Sequence, residues 1–390
     1  MNRPIKVVLF APANEILGGQ SVQAQRLVAE ISRVPGIQLR FQAINPLFPS
    51  YLRWAKKIPL LRTALTMSLY LPRVVLCAIW ADLLHVFSAG LYSYTLWTIP
   101  AVLLGRLFGR KIIVNYHDGR AEEHLRKFAL AVPTLKLADA IVFPTGFLTG
   151  IFAQYKLRSR VIPNVIDPET FIYRSRGKLR PLIMTNRILE PLYNIECILR
   201  AFKIVQQRYR DAQLTIAHVG PSDAHLREYA ASLELRNYEF IGKVQPSRIA
   251  NLYNAADIYV TTPNIDCMPV SLLECMASGI PIVATRAGGI PHIVTNEETA
   301  LLVDLDDHTA AAHQILRLLR DEALVRRITE AGRLEVEKYR TAPICNQWVN
   351  LYRQLVTGRS TDNTGAESSS VSAQPSEQRS IDVGASPSDQ

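Results

Sequence analysis

Cysteine is scarce in this chain. Five occur in 390 residues (Cys77, Cys197, Cys267, Cys275 and Cys345), an odd number with no Cys-x-x-Cys pair. That argues against a disulfide framework and a cysteine-built zinc site, and for a reducing compartment. Paired histidines at ligand spacing are also lacking, so no metal site is expected. The glycines never fall in a Gly-x-Gly-x-x-Gly run, which disfavours a dinucleotide-dependent oxidoreductase. Long apolar runs are few. Near the start there is only Val7 to Phe10, too brief for the core of a secretory leader. Leu60 to Trp80 comes nearest to a membrane span, but Arg62, Pro72 and Arg73 interrupt it. Charge at mid-span is costly in lipid, so this stretch reads as an amphipathic helix.

What is present points to a folded, two-domain protein. Hydrophobic residues make up 48% and charged residues 20%, and 390 residues exceed what one core usually organises. The formal net charge of +10 favours anionic partners such as nucleotide phosphates, acidic lipid or nucleic acid, without choosing among them.

Short apolar runs alternate with helical patterns, as in βαβ units with a doubly wound parallel sheet. The first series is Ile5–Pro12, Leu83–Phe87, Lys111–Tyr116, Ala140–Phe143 and Val161–Pro163, with a helix expected over Ser21–Ser32. The second is Leu182–Thr185, Leu214–Val219, Tyr238–Ile241, Ile258–Thr262, Pro281–Ala284 and Ala300–Val303. The polar segment Arg174 to Pro181 breaks both periodicities and is expected to link the two domains. Beyond about Thr357 the chain turns to Ser, Gly, Gln, Asp and Pro, a composition too poor in large apolar residues to order itself.

The most specific segment runs from Thr261 to Pro291. A strand ends near Thr262, a loop carries Asp266, Pro269 suits the first turn of a helix that carries Glu274, Gly279 caps it, and Pro281 opens the next strand. A helix start beyond a strand's carboxyl end offers free N–H groups to an anion, here the amides of Val270 and Ser271 to a diphosphate. Asp266 and Glu274 are spaced to grip hydroxyls on either side of it.

This segment, with its Gly288-Gly289 loop, resembles the signature of glycosyltransferase family 4, retaining enzymes of GT-B architecture. The resemblance is specific from Asp257 to Val294 and weaker over the rest of the chain to about residue 355. It implies an α/β GT-B fold: two Rossmann-like doubly wound parallel-sheet domains facing a cleft. It divides the chain into an acceptor-side domain (1–170), a nucleotide-sugar-binding domain (171–340), a helix returning to the first domain (341–357) and a disordered tail (358–390). It implies that Glu274 binds the ribose hydroxyls, Asp266 the transferred sugar and His117 the donor sugar. Met268, Pro269, Val270 and Ser271 would cradle the donor with Gly18 and Gly19, which follow the first strand. Gly242 and Lys243 would read the base through backbone atoms, and Asn164 and Asp167 would be structural.

Arg187 matches the family's diphosphate-binding arginine. The lysine expected five or six positions later is absent: Leu192 and Tyr193 stand there. Lys243, Arg120 and Arg286 are the substitutes considered. No cofactor beyond the nucleotide-sugar donor is expected, and no nucleic-acid partner. The implied acceptor is a glycan or lipid-linked molecule. Arg53, Trp54, Lys56, Lys57, Arg62, Tyr70 and Arg73 are read as a patch for peripheral contact with the inner membrane face of a cytoplasmic protein. The competing reading is a non-catalytic nucleotide-sugar-binding scaffold of the same fold.

Overall fold

The computed structural model describes residues 3–13, 19–45 and 58–358. Gly18, Arg53, Trp54, Lys56, Lys57 and all of the expected tail except Gly358 lie outside the described residues.

Two six-stranded sheets carry the fold, and every pairing in them is parallel. The first contains β1 (Ile5–Ala11), β2 (Ile37–Ala43), β3 (Leu83–Ser88), β4 (Lys111–Tyr116), β5 (Ala140–Phe143) and β6 (Arg160–Val161), in the order β2-β1-β3-β4-β5-β6. The second contains β7 (Leu182–Thr185), β8 (Gln213–Ala217), β9 (Tyr238–Gly242), β10 (Ile258–Thr261), β11 (Ile282–Thr285) and β12 (Leu301–Val303), in the order β12-β11-β10-β7-β8-β9. Helices cover both faces of each sheet, so central strands such as β3, β10 and β11 are buried along their whole length.

Strand order fixes where a ligand goes. In the first sheet the winding reverses between β1 and β3, and in the second between β7 and β10. Ligands of open α/β sheets bind outside the carboxyl ends of strands at such reversals.

The sequence reading missed β2, whose alternating Ile-Gln-Leu-Arg-Phe-Gln-Ala pattern belongs to a half-exposed edge strand. It also ran β8 two residues too far. His218 has φ +137°, which no extended strand accommodates. The Arg174–Pro181 segment joins the two sheets but is not a loose tether. Arg176, 4% exposed, donates to the carbonyls of Ser278 (2.6 Å), Gly279 (2.7 Å), Ala256 (3.1 Å) and Tyr253 (3.2 Å).

The Thr341–Thr357 helix packs on β1 and on the Gly19–Ile31 helix of the first unit, burying Ile344, Trp348, Val349 and Tyr352. Each large apolar side chain fully buried there contributes on the order of 2 kcal/mol. The Tyr352 hydroxyl lies 2.7 Å from His85 Nδ1 inside this core.

The Pro59–Trp80 helix packs through Thr66, Tyr70, Val74 and Ala78, one stripe at helical spacing. Tyr70 is therefore a core residue, its hydroxyl donating to Trp97 O, and it is no part of the surface patch. The rest of its surface is less polar than an amphipathic reading implies: Leu60, Leu76 and Ile79 are exposed, as is Arg62 near the helix start. By length and composition this helix is apolar enough to cross a membrane, with a mean hydropathy of 1.4 over its most apolar window.

Candidate active site

The two strand reversals face each other across a cleft. From the first unit come Pro12 beyond β1, the start of the Gly19–Ile31 helix, and His117 beyond β4. From the second come Asn186 and Arg187 beyond β7, His218 beyond β8, and Asp266 to Val270 beyond β10. They enclose a cavity of about 350 Å3. A second cavity of about 290 Å3 shares Gly19, Asn186, Arg187, His218 and Val270 with it, and extends to Arg26, Phe171, Val244, Ser271 and Glu274. The two are one cleft with Asp266 along one stretch and Glu274 along the other, within the size range of ligand sites.

The Asp266 loop is held by close backbone contacts. Gly289 N donates to Asp266 O at 2.8 Å, and a Cβ on Gly289 would stand 1.8 Å from Cys267 O. Only glycine lets the two backbones meet this closely. From the first unit, Thr145 Oγ1 donates to Cys267 O at 3.0 Å and Asn164 Nδ2 to Met268 O at 3.2 Å. The Val270–Ser278 helix follows, with Pro269 as its N-cap and not inside its first turn, because the chain is still extended at Pro269. No side chain caps this helix, so its N-terminal dipole end is presented to the cleft that Val270 and Ser271 line. Gly279, at φ +66°, terminates the helix.

Arg187 forms an ion pair with Asp266, and both side chains are nearly buried, at 13% and 12% exposure. The Arg187 guanidinium also lies over the Tyr193 ring, 4.3 Å from its centre. Burial works against the charge on Arg187, but the Asp266 carboxylate together with Tyr193 and Tyr259 holds the guanidinium above its ordinary pKa. Burial raises Asp266 too, against the pull of Arg187 and of the Cys267 and Met268 amides. Glu274 is likewise raised by burial, opposed by Arg26 at 3.8 Å and by a 2.8 Å hydrogen bond from the Tyr253 hydroxyl. Asn186 Nδ2 donates to Tyr253 Oη at 2.7 Å, and the Tyr259 hydroxyl donates to Asn186 Oδ1 at 2.8 Å. Tyr259 Oη also lies 2.9 Å from Ser271 Oγ, which Arg187 approaches at 3.5 Å. A continuous polar chain therefore connects the two carboxylates.

His117 lies at the end of β4 with its ring stacked on Phe87 at 5.1 Å. Burial lowers its pKa to about 3, so it is neutral at pH 7, and Nε2 is buried without a protein partner. A ligand hydroxyl is the natural complement of such an atom.

Several expected residues are placed differently. Gly242 ends β9 at φ +72°, and neither it nor the exposed Lys243 lines the cleft; Val244 does. Arg120 pairs with Asp118 and Arg286 with Asp304, and neither of these cations reaches the cleft walls. Arg26 and His218 do, and both escaped the sequence reading, as did Tyr253 and Tyr259 behind the carboxylates. For His218 a signal existed, its place at the carboxyl end of a strand next to the winding reversal.

Asp304 and Asp306 stand at Asp-x-Asp spacing, which the sequence reading passed over; Asp306 pairs with Arg200 and Asn194. Among the described residues no group of three His, Cys, Asp or Glu is placed to hold a metal ion.

Residues 168–335 match the model of the family described as glycosyl transferases group 1. Among curated proteins, the chain is 28% identical over 207 residues to N-acetyl-alpha-D-glucosaminyl L-malate synthase of Bacillus anthracis, covering 50% of this chain and 54% of that protein. It is 29% identical over 208 residues to phosphatidyl-myo-inositol mannosyltransferase of Mycobacterium leprae, covering 51% and 54% respectively. The chain thus spans about half the length of these relatives. Among solved structures, Anabaena HepE in complex with UDP and glucose superposes with a TM-score of 0.69 at 14% identity, over 90% of this chain and all of that one. Sucrose-phosphate synthase of Thermosynechococcus elongatus gives 0.69 at 17% identity, over 91% of this chain and all of that one. The shared architecture is GT-B.

Proposed function

We propose, from the match of residues 168–335 to the glycosyl transferases group 1 family, that the chain is a retaining, metal-independent enzyme of family 4 type. It moves a sugar from a nucleotide-diphosphate donor to a glycan or lipid-linked acceptor. One observation carries this reading. An uncapped helix start, a buried arginine and two carboxylates line the same cleft between two strand reversals.

The diphosphate lies against the Val270 and Ser271 amides and Arg187, which stabilise the charge that grows as the sugar departs. Glu274 takes the ribose hydroxyls, Asp266 and the unpartnered Nε2 of His117 the sugar hydroxyls. The acceptor oxygen bonds to the anomeric carbon as the bond to the phosphate oxygen breaks, and the acceptor proton leaves with the diphosphate. Asp266 is paired with Arg187 and so is a poor nucleophile, which supports transfer on one face without a covalent intermediate. Exposed Leu60, Leu76 and Ile79 on a helix that also carries Arg62, with the likeness to a phosphatidyl-myo-inositol mannosyltransferase, support a lipid-linked acceptor and peripheral contact with an anionic membrane.

The test is a panel of UDP-, GDP- and ADP-sugars with release of the nucleoside diphosphate as readout. Slow hydrolysis of one donor, abolished by Glu274→Ala and by Arg187→Ala, is expected. A chain that binds no nucleotide in the panel contradicts the reading. Leu192 and Tyr193, standing where similar enzymes carry a lysine, favour the scaffold alternative, which binding without turnover in the presence of acceptor extracts would select.

A further inference from the structure

The charges lining the cleft cancel before any donor arrives. Arg187 is paired with Asp266, and Arg26 lies 3.8 Å from Glu274. His117 is held neutral by burial. A nucleoside diphosphate carries more negative charge than this balance and the two helix starts at the cleft answer, which leaves a place for a further donor group. His218 is the remaining histidine of the cleft and the wall shared by both cavities.

Its backbone is the second observation. The other non-glycine residues at positive φ lie between 44° and 66°, inside the ordinary left-handed well. Among the described residues His218 alone stands at +137°, a region that essentially only glycine occupies without strain. Contacts on both sides hold it there. His218 N donates to Gly242 O at 2.7 Å, and Leu189 N donates to Val219 O at 3.4 Å. Gly220 follows so close to Leu189 that a Cβ would stand 2.3 Å from Leu189 O. His218 Nδ1 lies 2.9 Å from Val219 O and donates to it when it carries a proton; in the imidazolium Nε2 carries a second N–H, which can be donated to an anion in the cleft. A histidine kept where a glycine would be unstrained needs a use for its side chain.

We propose that His218 binds the donor diphosphate, its imidazole supplying a charge-assisted hydrogen bond that Arg187, engaged with Asp266, does not fully provide. This rests on the donor reading above and adds a residue to it. The test uses the full chain, titrated calorimetrically with UDP, GDP and ADP and then with the nucleoside matching the diphosphate that binds. His218→Gly removes ring and strain together, while His218→Ala removes the ring and keeps the strain. Both variants are expected to lose roughly 10- to 100-fold in nucleoside-diphosphate affinity. Affinity for the free nucleoside should stay within about twofold, and His218→Gly should melt no lower than the parent protein. Diphosphate affinity within about twofold of the parent in either variant overturns the assignment and leaves the donor reading intact. So does an equal loss for nucleoside and diphosphate, which would mark His218 as a support for the pocket's shape. A parent protein that binds none of the three diphosphates overturns both readings.

Discussion

Substituting alanine for Gly289 separates packing from backbone conformation. Gly289 has φ −82° and ψ −5°, which alanine adopts freely, so the objection to a side chain is purely steric. The added Cβ would lie 1.8 Å from Cys267 O and 2.8 Å from Thr145 Oγ1. A relaxed carbon–oxygen contact is about 3.3 Å, so the two backbones must part by about 1.5 Å. That movement weakens the 2.8 Å bond from Gly289 N to Asp266 O and the 3.0 Å bond from Thr145 to Cys267 O. It also carries Asp266 away from Arg187. Overpacking of this kind costs roughly 1–3 kcal/mol in stability, which leaves the protein folded at room temperature. A misplacement of about 1 Å at a reacting centre costs on the order of 100-fold in turnover. Gly289→Ala is therefore expected to melt a few degrees lower and to lose about 100-fold in kcat/KM for donor hydrolysis. Gly150→Ala, in the Thr149–Gln154 helix where a Cβ meets nothing within 4 Å, is the control: it leaves kcat/KM unchanged and does not lower the melting temperature. Turnover by Gly289→Ala within about threefold of the parent would refute the claim that this glycine contact sets the Asp266 loop.

Three further outcomes are expected. Tyr253→Phe deletes the hydroxyl between Glu274 and Asn186; nucleoside-diphosphate affinity should fall by roughly 3- to 10-fold while stability drops by about 1 kcal/mol, read by titration and urea unfolding. An unchanged affinity removes Tyr253 from the site. Arg176→Ala strips the buried donor from the carbonyls of Ser278, Gly279, Tyr253 and Ala256 and should destabilise by about 3–5 kcal/mol in urea, with a loss under about 1 kcal/mol counting against the role given it. Acid should unfold the protein through its buried histidines: burial lowers His85 and His117 to about 3 and His124 to about 4. Folded values below the ordinary 6.5 mean that the unfolded chain binds more protons, so stability is full above about pH 6.5 and falls as pH drops towards 4. The slope is at most about 1.4 kcal/mol per pH unit for each histidine, partly offset by Asp266 and Glu274, which burial shifts the other way. Stability that is flat or rising between pH 6.5 and 5 would contradict it.

How much of this was legible in the sequence depends on how local each feature is. Buried parallel strands such as β3 and β4 read as apolar runs because both their faces are covered, whereas β2 hid behind its exposed polar positions. The Asp266–Glu274 element was legible because one β-loop-α unit carries both carboxylates, the helix start and the glycine that ends it. What sets the charge of those carboxylates was not. Arg187 reaches Asp266 across 79 positions, and Asn186 meets Tyr253 across 67 and Tyr259 across 73, so no local pattern announces them. Nor does any periodicity mark His218, whose value lies in a backbone angle.

Arg26 shows the consequence. It belongs to the first unit, donates to Val165 O at 2.9 Å, and lies 3.8 Å from Glu274 of the second. Parting the two units removes that cation, one of the interactions that oppose the effect of burial on Glu274. An approach of the units that excludes water from the cleft therefore also brings Arg26 to Glu274.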